Sequence, residues 1–155
     1  MIIPAAVLVA LSAYLLQGDV WTFWTWYLLA LVLGVAVMPL TGGLFRRFDD
    51  KGWIFSKVTA IAITGFLTWF LVTVKILKFT AVTCVAVTVI CTVLSILLYR
   101  KEQKDGFECI PFAHLNLVYA EELLFFAVFL MWTYFAGFHP AAYGTEKFMD
   151  YGFME

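Results

Sequence analysis

"VWTFWTWYLLALVLGVAVMPLTGGLF", residues 20–45, contains no Asp, Glu, Lys or Arg. As a helix it would run about 39 Å at 1.5 Å per residue, beyond the roughly 30 Å of a bilayer's hydrocarbon core. A water-soluble helix of that length needs a polar face, and this one has none. The rest of the chain has the same character. It is 155 residues long, 64% hydrophobic and 14% charged, with a mean hydropathy of +0.94. Ordinary soluble domains carry about 25% charged residues. The solvent for most of this surface is therefore lipid. A lone strand in lipid leaves its backbone groups unpaired, so helix is expected even where Val, Ile and Thr dominate, as in 79–99. The fold class expected is all-α, a polytopic integral membrane protein with four to five transmembrane helices and a single membrane domain over 1–155.

The helices are expected at about 2–16, 20–45, 54–76, 79–99 and 117–138, with an external segment at 139–155. Trp21, Trp24, Trp26 and Tyr27 resemble an interfacial aromatic belt. Lys57 and Lys75 bound the third run, where their long side chains can snorkel. The first helix is short, and no Lys or Arg precedes it as in a secretory signal. It reads as a short membrane helix, joined through Gln17-Gly18-Asp19 to the next span as an antiparallel hairpin. Arg46, Arg47, Lys51, Lys57, Arg100, Lys101 and Lys104 are seven of the ten basic residues and fall in two loops separated by two spans. The positive-inside rule puts both loops and the N-terminus in the cytoplasm of a multi-pass cell-membrane protein. "VKILKF" (residues 74–79) and the tail then face outward. A net charge of −1 leaves no footprint for nucleic acid. Cys84, Cys91 and Cys109 have neither metal-ligand spacing nor a disulfide framework.

Two polar features stand out. The first is Glu121–Glu122. From Leu123 to Phe138 a helix covers only about 24 Å, so at least one turn holding the glutamates enters the membrane or its inner interface. A carboxylate at the bilayer centre costs of order 2.5–3.5 kcal/mol and marks a functional site by default. The alternative puts both at headgroup level, one wet and one paired with a nearby Lys or Arg. Neighbouring residues point about 100° apart on a helix, so at most one need face the bundle.

The second is the closing stretch "GTEKFMDYGFME", residues 144–155. Thr145 can cap a new helix and Glu146 suits its first turn. Glu146 and Asp150 then share a face, with Lys147 beside it. Two carboxylates on one face can bind a divalent metal, or serve as general base and orienting group. The bland alternative is an amphipathic helix lying on the bilayer, with Phe148, Met149, Tyr151 and Phe153 toward lipid.

The run "GTEKFMDYGFM" resembles the GTEKPMD-x-x-F signature of an uncharacterised bacterial and archaeal membrane-protein family named for a downstream Tyr-Tyr-Tyr motif. The stretches "WYLLALVLGVAVMPLTGGLF", "FDDKGWIFSK", "GFLTWFLVTVKILKFT" and "YAEELLFFAVFLMW" are similar to that family's N-terminal region in the same order. Phe148 stands where the family has proline, and the Tyr-Tyr-Tyr segment is absent. The resemblance implies an N-terminal fragment of a larger multi-span protein, or a truncated member. The family is in turn similar, more distantly, to C-type polytopic glycosyltransferases, which take a sugar from a polyprenyl-phosphate carrier on the outer face. The resemblance thus implies catalytic roles for Glu146 and Asp150, phosphate contact by Lys147 and a lipid-linked sugar as partner. A non-enzymatic scaffold or subunit, docking a partner or the bilayer surface through its external segment, is the other reading.

Overall fold

A computed structural model describes residues 2–104 and 112–138. Among these every regular element is helical. The helices are α1 (Ile2–Leu16), α2 (Val20–Leu44), α3 (Trp53–Thr73), α4 (Ala81–Lys104) and α5 (Leu115–Gly137), with 3-10 turns before α2 and α5. Four stretches are long and apolar enough to cross a membrane: Ile3–Leu44, Trp53–Thr73, Ala81–Lys101 and Leu115–Gly137. The first is folded back on itself at Gln17–Asp19, where Gln17 takes a φ of 42°. Leu8, Leu15 and Leu16 of α1 consequently pack on the same cluster as Phe23 and Tyr27 of α2. At 15 residues, α1 is about 22 Å long and cannot cross a full hydrocarbon core unaided.

Along α3 and α4 the inward face is small and hydroxylated, and the outward face is large and apolar. Ser56, Ala60, Thr64 and Thr68 of α3, and Thr83, Val87, Cys91 and Ser95 of α4, recur every fourth residue and are buried. Large apolar side chains such as Phe66, Trp69, Val82, Ile90 and Trp132 point outward. This arrangement suits lipid, where helices associate through close packing rather than by escaping water. Most of the threonine hydroxyls are satisfied within their own helix, as Thr64 Oγ1 donating to the Ala60 carbonyl at 2.8 Å shows.

The most extensive packing joins α2 to α3, followed by α2 to α4. Gly34 sets the approach, because a Cβ there would lie 2.9 Å from both Lys57 Cγ and Ser56 Oγ. Gly52 opens α3 with a φ of 74°, and a Cβ there would meet the Phe45 ring at 2.6 Å. Two helix ends depart from expectation. The third helix stops at Thr73 because Lys75 turns to a φ of 60°. The fourth runs on to Lys104, beginning after Thr80, whose Oγ1 accepts from the Thr83 amide as an N-cap.

The aromatic belt expected on α2 is divided. Trp21 and Trp26 are 80% and 61% exposed, as belt residues should be. Tyr27 is only 7% exposed, and Trp24 packs with it against α5. The reason is helical spacing: positions 23, 24 and 27 share a face, and 21 and 26 do not.

Two measurements check this arrangement. Gly34→Leu should lower the thermal midpoint in detergent by several degrees, whereas Gly65→Ala, with open space around it, should leave it unchanged or slightly raised. Single cysteines at the exposed Asp49 and Lys78 should react with an impermeant thiol reagent from opposite sides of sealed vesicles.

Candidate functional site

Glu122 is the eighth residue of α5, about 10 Å along the helix from Leu115. Its carboxylate collects three donors from two other helices. Tyr27 Oη donates to Oε1 at 2.6 Å. On Oε2, Trp53 Nε1 donates at 3.0 Å and Lys57 Nζ at 2.6 Å. Trp53 and Lys57 are four residues apart in the first turns of α3, so one face presents indole and ammonium to one oxygen. The ammonium also sits 5.0 Å from the Trp53 ring centroid and 4.6 Å from that of Phe125. Phe125 follows Glu122 by one turn on α5, so the same helix supplies the counter-charge and an aromatic face for the cation.

Lys57 was expected to snorkel; the structure instead leaves it 2% exposed and ion-paired. Gly34 is the physical reason, since its bare Cα lets the lysine stem lie along α2 and turn inward. Such a pair attracts strongly in a medium of low dielectric but has to offset a large desolvation cost. Here the cost is met by full coordination: charge-assisted bonds on both carboxylate oxygens and two rings around the ammonium.

The two adjacent glutamates part ways, as their roughly 100° separation implies. Glu122 enters the bundle. Glu121 lies beside Asp50 of the α2–α3 connection, and its Oε2 is buried with no hydrogen-bond partner. Asp50 is itself only 5% exposed, although it sits in a loop of charged residues. Tyr27, Trp53 and Asp50 were not expected at this site from sequence. The one local signal for Trp53 and Lys57 was their shared helical face.

A hollow of about 330 Å³ opens beside Glu122 between α1, α2 and α5, with Leu8, Trp24, Leu31 and Phe126 among its walls. Tyr27 and Tyr119 also line it. A second hollow, of about 240 Å³, lies on the same seam toward the end of α5, lined by Leu15, Leu16, Asp19, Thr133, Tyr134 and Phe138. Glu146, Lys147 and Asp150, with Cys109, lie outside the described residues. Among the described residues no group of three His, Cys, Asp or Glu could hold a metal ion. Cys84 and Cys91 are free thiols.

The sequence profile of a family described as "uncharacterized membrane protein (DUF2298)" matches residues 63–155. The chain belongs to this family. The DUF2298 match takes in α4, α5 and both glutamates, while Tyr27, Trp53 and Lys57 precede it. No curated protein and no solved structure matches the chain.

The coordination around Glu122 makes a quantitative demand. Lys57→Met should destabilise the bundle by about 3 kcal/mol, the low end for breaking a buried pair. Lys57→Met/Glu122→Leu should cost less than the sum of its single variants, because neither charge is then left alone. Glu122→Gln should cost at least 1 kcal/mol more than Glu121→Gln. Unfolding titrations in mixed micelles read all of these; additive single effects would mean the ion pair does not hold the helices together.

Proposed function

We propose that the protein is the N-terminal part of a glycosyltransferase-like membrane enzyme, acting at the extracytoplasmic side of the cell membrane on a polyprenyl-phosphate-linked sugar. The observation that carries this reading is the hollow between Leu15, Asp19 and Tyr134. It opens at the end of α5, from which the chain leads on to "GTEKFMD". A gap in a lipid-facing seam suits the first isoprene units of a lipid carrier. The acidic motif that follows in the sequence suits the reacting end. Resemblance of the motif to that of the Tyr-Tyr-Tyr family, and of the layout to C-type glycosyltransferases, supports the same assignment by analogy.

In this reading Glu146 or Asp150 takes the proton from an acceptor hydroxyl, or helps hold a divalent metal near the phosphate. The acceptor oxygen attacks the anomeric carbon and polyprenyl phosphate departs. Lys147 meets the charge that builds on the leaving phosphate. Further helices, from a longer chain or a partner subunit, complete the site.

A second reading, a non-enzymatic scaffold, is favoured by one observation. The Lys57–Glu122 pair is satisfied by protein groups, so it is accounted for by helix packing alone.

Transfer from a polyprenyl-phosphate sugar, assayed on the full-length protein, separates the two. Glu146→Asp displaces the carboxylate by about one methylene and should slow transfer on the order of a hundredfold. Glu146→Gln should abolish it. Wild-type rates for Glu146→Asp and Asp150→Asn together would leave the scaffold as the better account.

A further inference from the structure

Among the described residues, every buried serine or threonine hydroxyl but one donates to a carbonyl three to five residues earlier, Thr83 to that of Lys78. Thr41, Thr64, Thr68, Thr88 and Thr92 each donate to the carbonyl four residues earlier. Ser12 and Ser56 donate to the carbonyl three residues earlier. Ser95 of α4 is 2% exposed, and its Oγ has no partner. A buried hydroxyl without a bond has lost its water and gained nothing in return, so an external partner for it is worth seeking.

Ser95 lines a hollow of about 420 Å³ between α2, α3 and α4. Leu40 and Leu98 also line a neighbouring hollow of about 380 Å³, so the two adjoin in the groove along α2 and α4. The groove's walls are apolar, including Val37, Leu40, Ile63, Leu67, Leu94 and Leu98. Two basic residues mark its end, Arg46 from the first hollow and Lys101 from the second. Arg46 Nε donates to the Gly43 carbonyl at 3.1 Å, which holds the guanidinium against the end of α2. Both residues are exposed, at the end of the bundle where the basic loops emerge.

We infer that this groove binds a diacyl anionic phospholipid from the leaflet on the basic-loop side. The apolar walls take an acyl chain, Arg46 and Lys101 take the phosphate, and Ser95 Oγ donates to a glycerol-ester oxygen. The spacing suits this order, because Ser95 lies six residues, about 9 Å, deeper along α4 than Lys101. Charge complementarity selects the headgroup: basic pockets between membrane helices recognise anionic lipids, and a zwitterionic headgroup offers them no net charge. This inference is independent of the function proposed above, which concerns the opposite end of the bundle.

Native mass spectrometry of the full chain, released from mixed micelles of dioleoyl phosphatidylglycerol and dioleoyl phosphatidylcholine, tests it. The wild type should retain phosphatidylglycerol in preference. Each of Arg46→Gln and Lys101→Gln should cut that preference roughly fivefold, with Lys104→Gln, outside the groove, changing it little. Ser95→Ala should weaken retention about twofold to tenfold. Leu98→Trp should displace the lipid by filling the groove, with circular dichroism confirming the fold; the two rim variants, being at exposed positions, test the site even if Leu98→Trp fails to fold. The inference is overturned if the preference survives Arg46→Gln/Lys101→Gln, or falls equally with Lys104→Gln, which would make it a general surface-charge effect. Retention unchanged in folded Leu98→Trp or in Ser95→Ala also overturns it. So does a cysteine at position 98 that cross-links in membranes to a polypeptide instead of a thiol-reactive lipid.

Discussion

The salt bridge between Lys57 and Glu122 is the constraint around which this bundle is arranged. Neither charge can be left alone in hydrocarbon, and the two meet at 2.6 Å. Satisfying both ties α3 to α5, and the phenol of Tyr27 brings α2 to the same carboxylate. Three helices are therefore pinned at one point by groups that would be strongly penalised if separated. Dispersion between apolar side chains could not do this alone, since lipid tails compete for the same contacts. Fixing the register of helices is the best-attested use of buried charge of this kind.

Around that point the bundle has two textures. On one side, α2 and α3 approach closely across Gly34, and small or hydroxylated residues fill the contact. On the other, α1 and α5 meet α2 through bulky rings. Phe23 crosses Phe126 edge-on at 5.4 Å and Tyr27 crosses it at 4.9 Å. Rings of this size keep the backbones apart and leave gaps where they do not interlock, which accounts for the two hollows along that seam.

Much of this was legible in the residues. The uncharged run at 20–45 dictates a helix in lipid, because nothing else satisfies its backbone there. The Gln-Gly-Asp link reads as a reversal, and α1 does fold back. Glu121–Glu122 marked the important depth of α5, because a carboxylate so far inside a helix needs a reason. The partners of Glu122 were less legible. Lys57 sits at a helix start, where snorkelling toward water is the ordinary expectation. Tyr27 sits among tryptophans, where an interfacial belt is the ordinary expectation. Both turn inward through rotations about the helix axis that local sequence does not specify.

The sequence by itself determined the solvent, the element type, the approximate ends of the helices and the depth at which charge enters the bundle. Each of these follows from composition along one segment, because lipid exacts its cost residue by residue. Tertiary structure decided which of two adjacent glutamates faces inward, which lysine answers it and where the seams stay open. Those depend on how helices rotate and approach one another, and that is set by contacts between segments far apart in the chain. Gly34 is the clearest case: its missing side chain has meaning only once Lys57 lies across it.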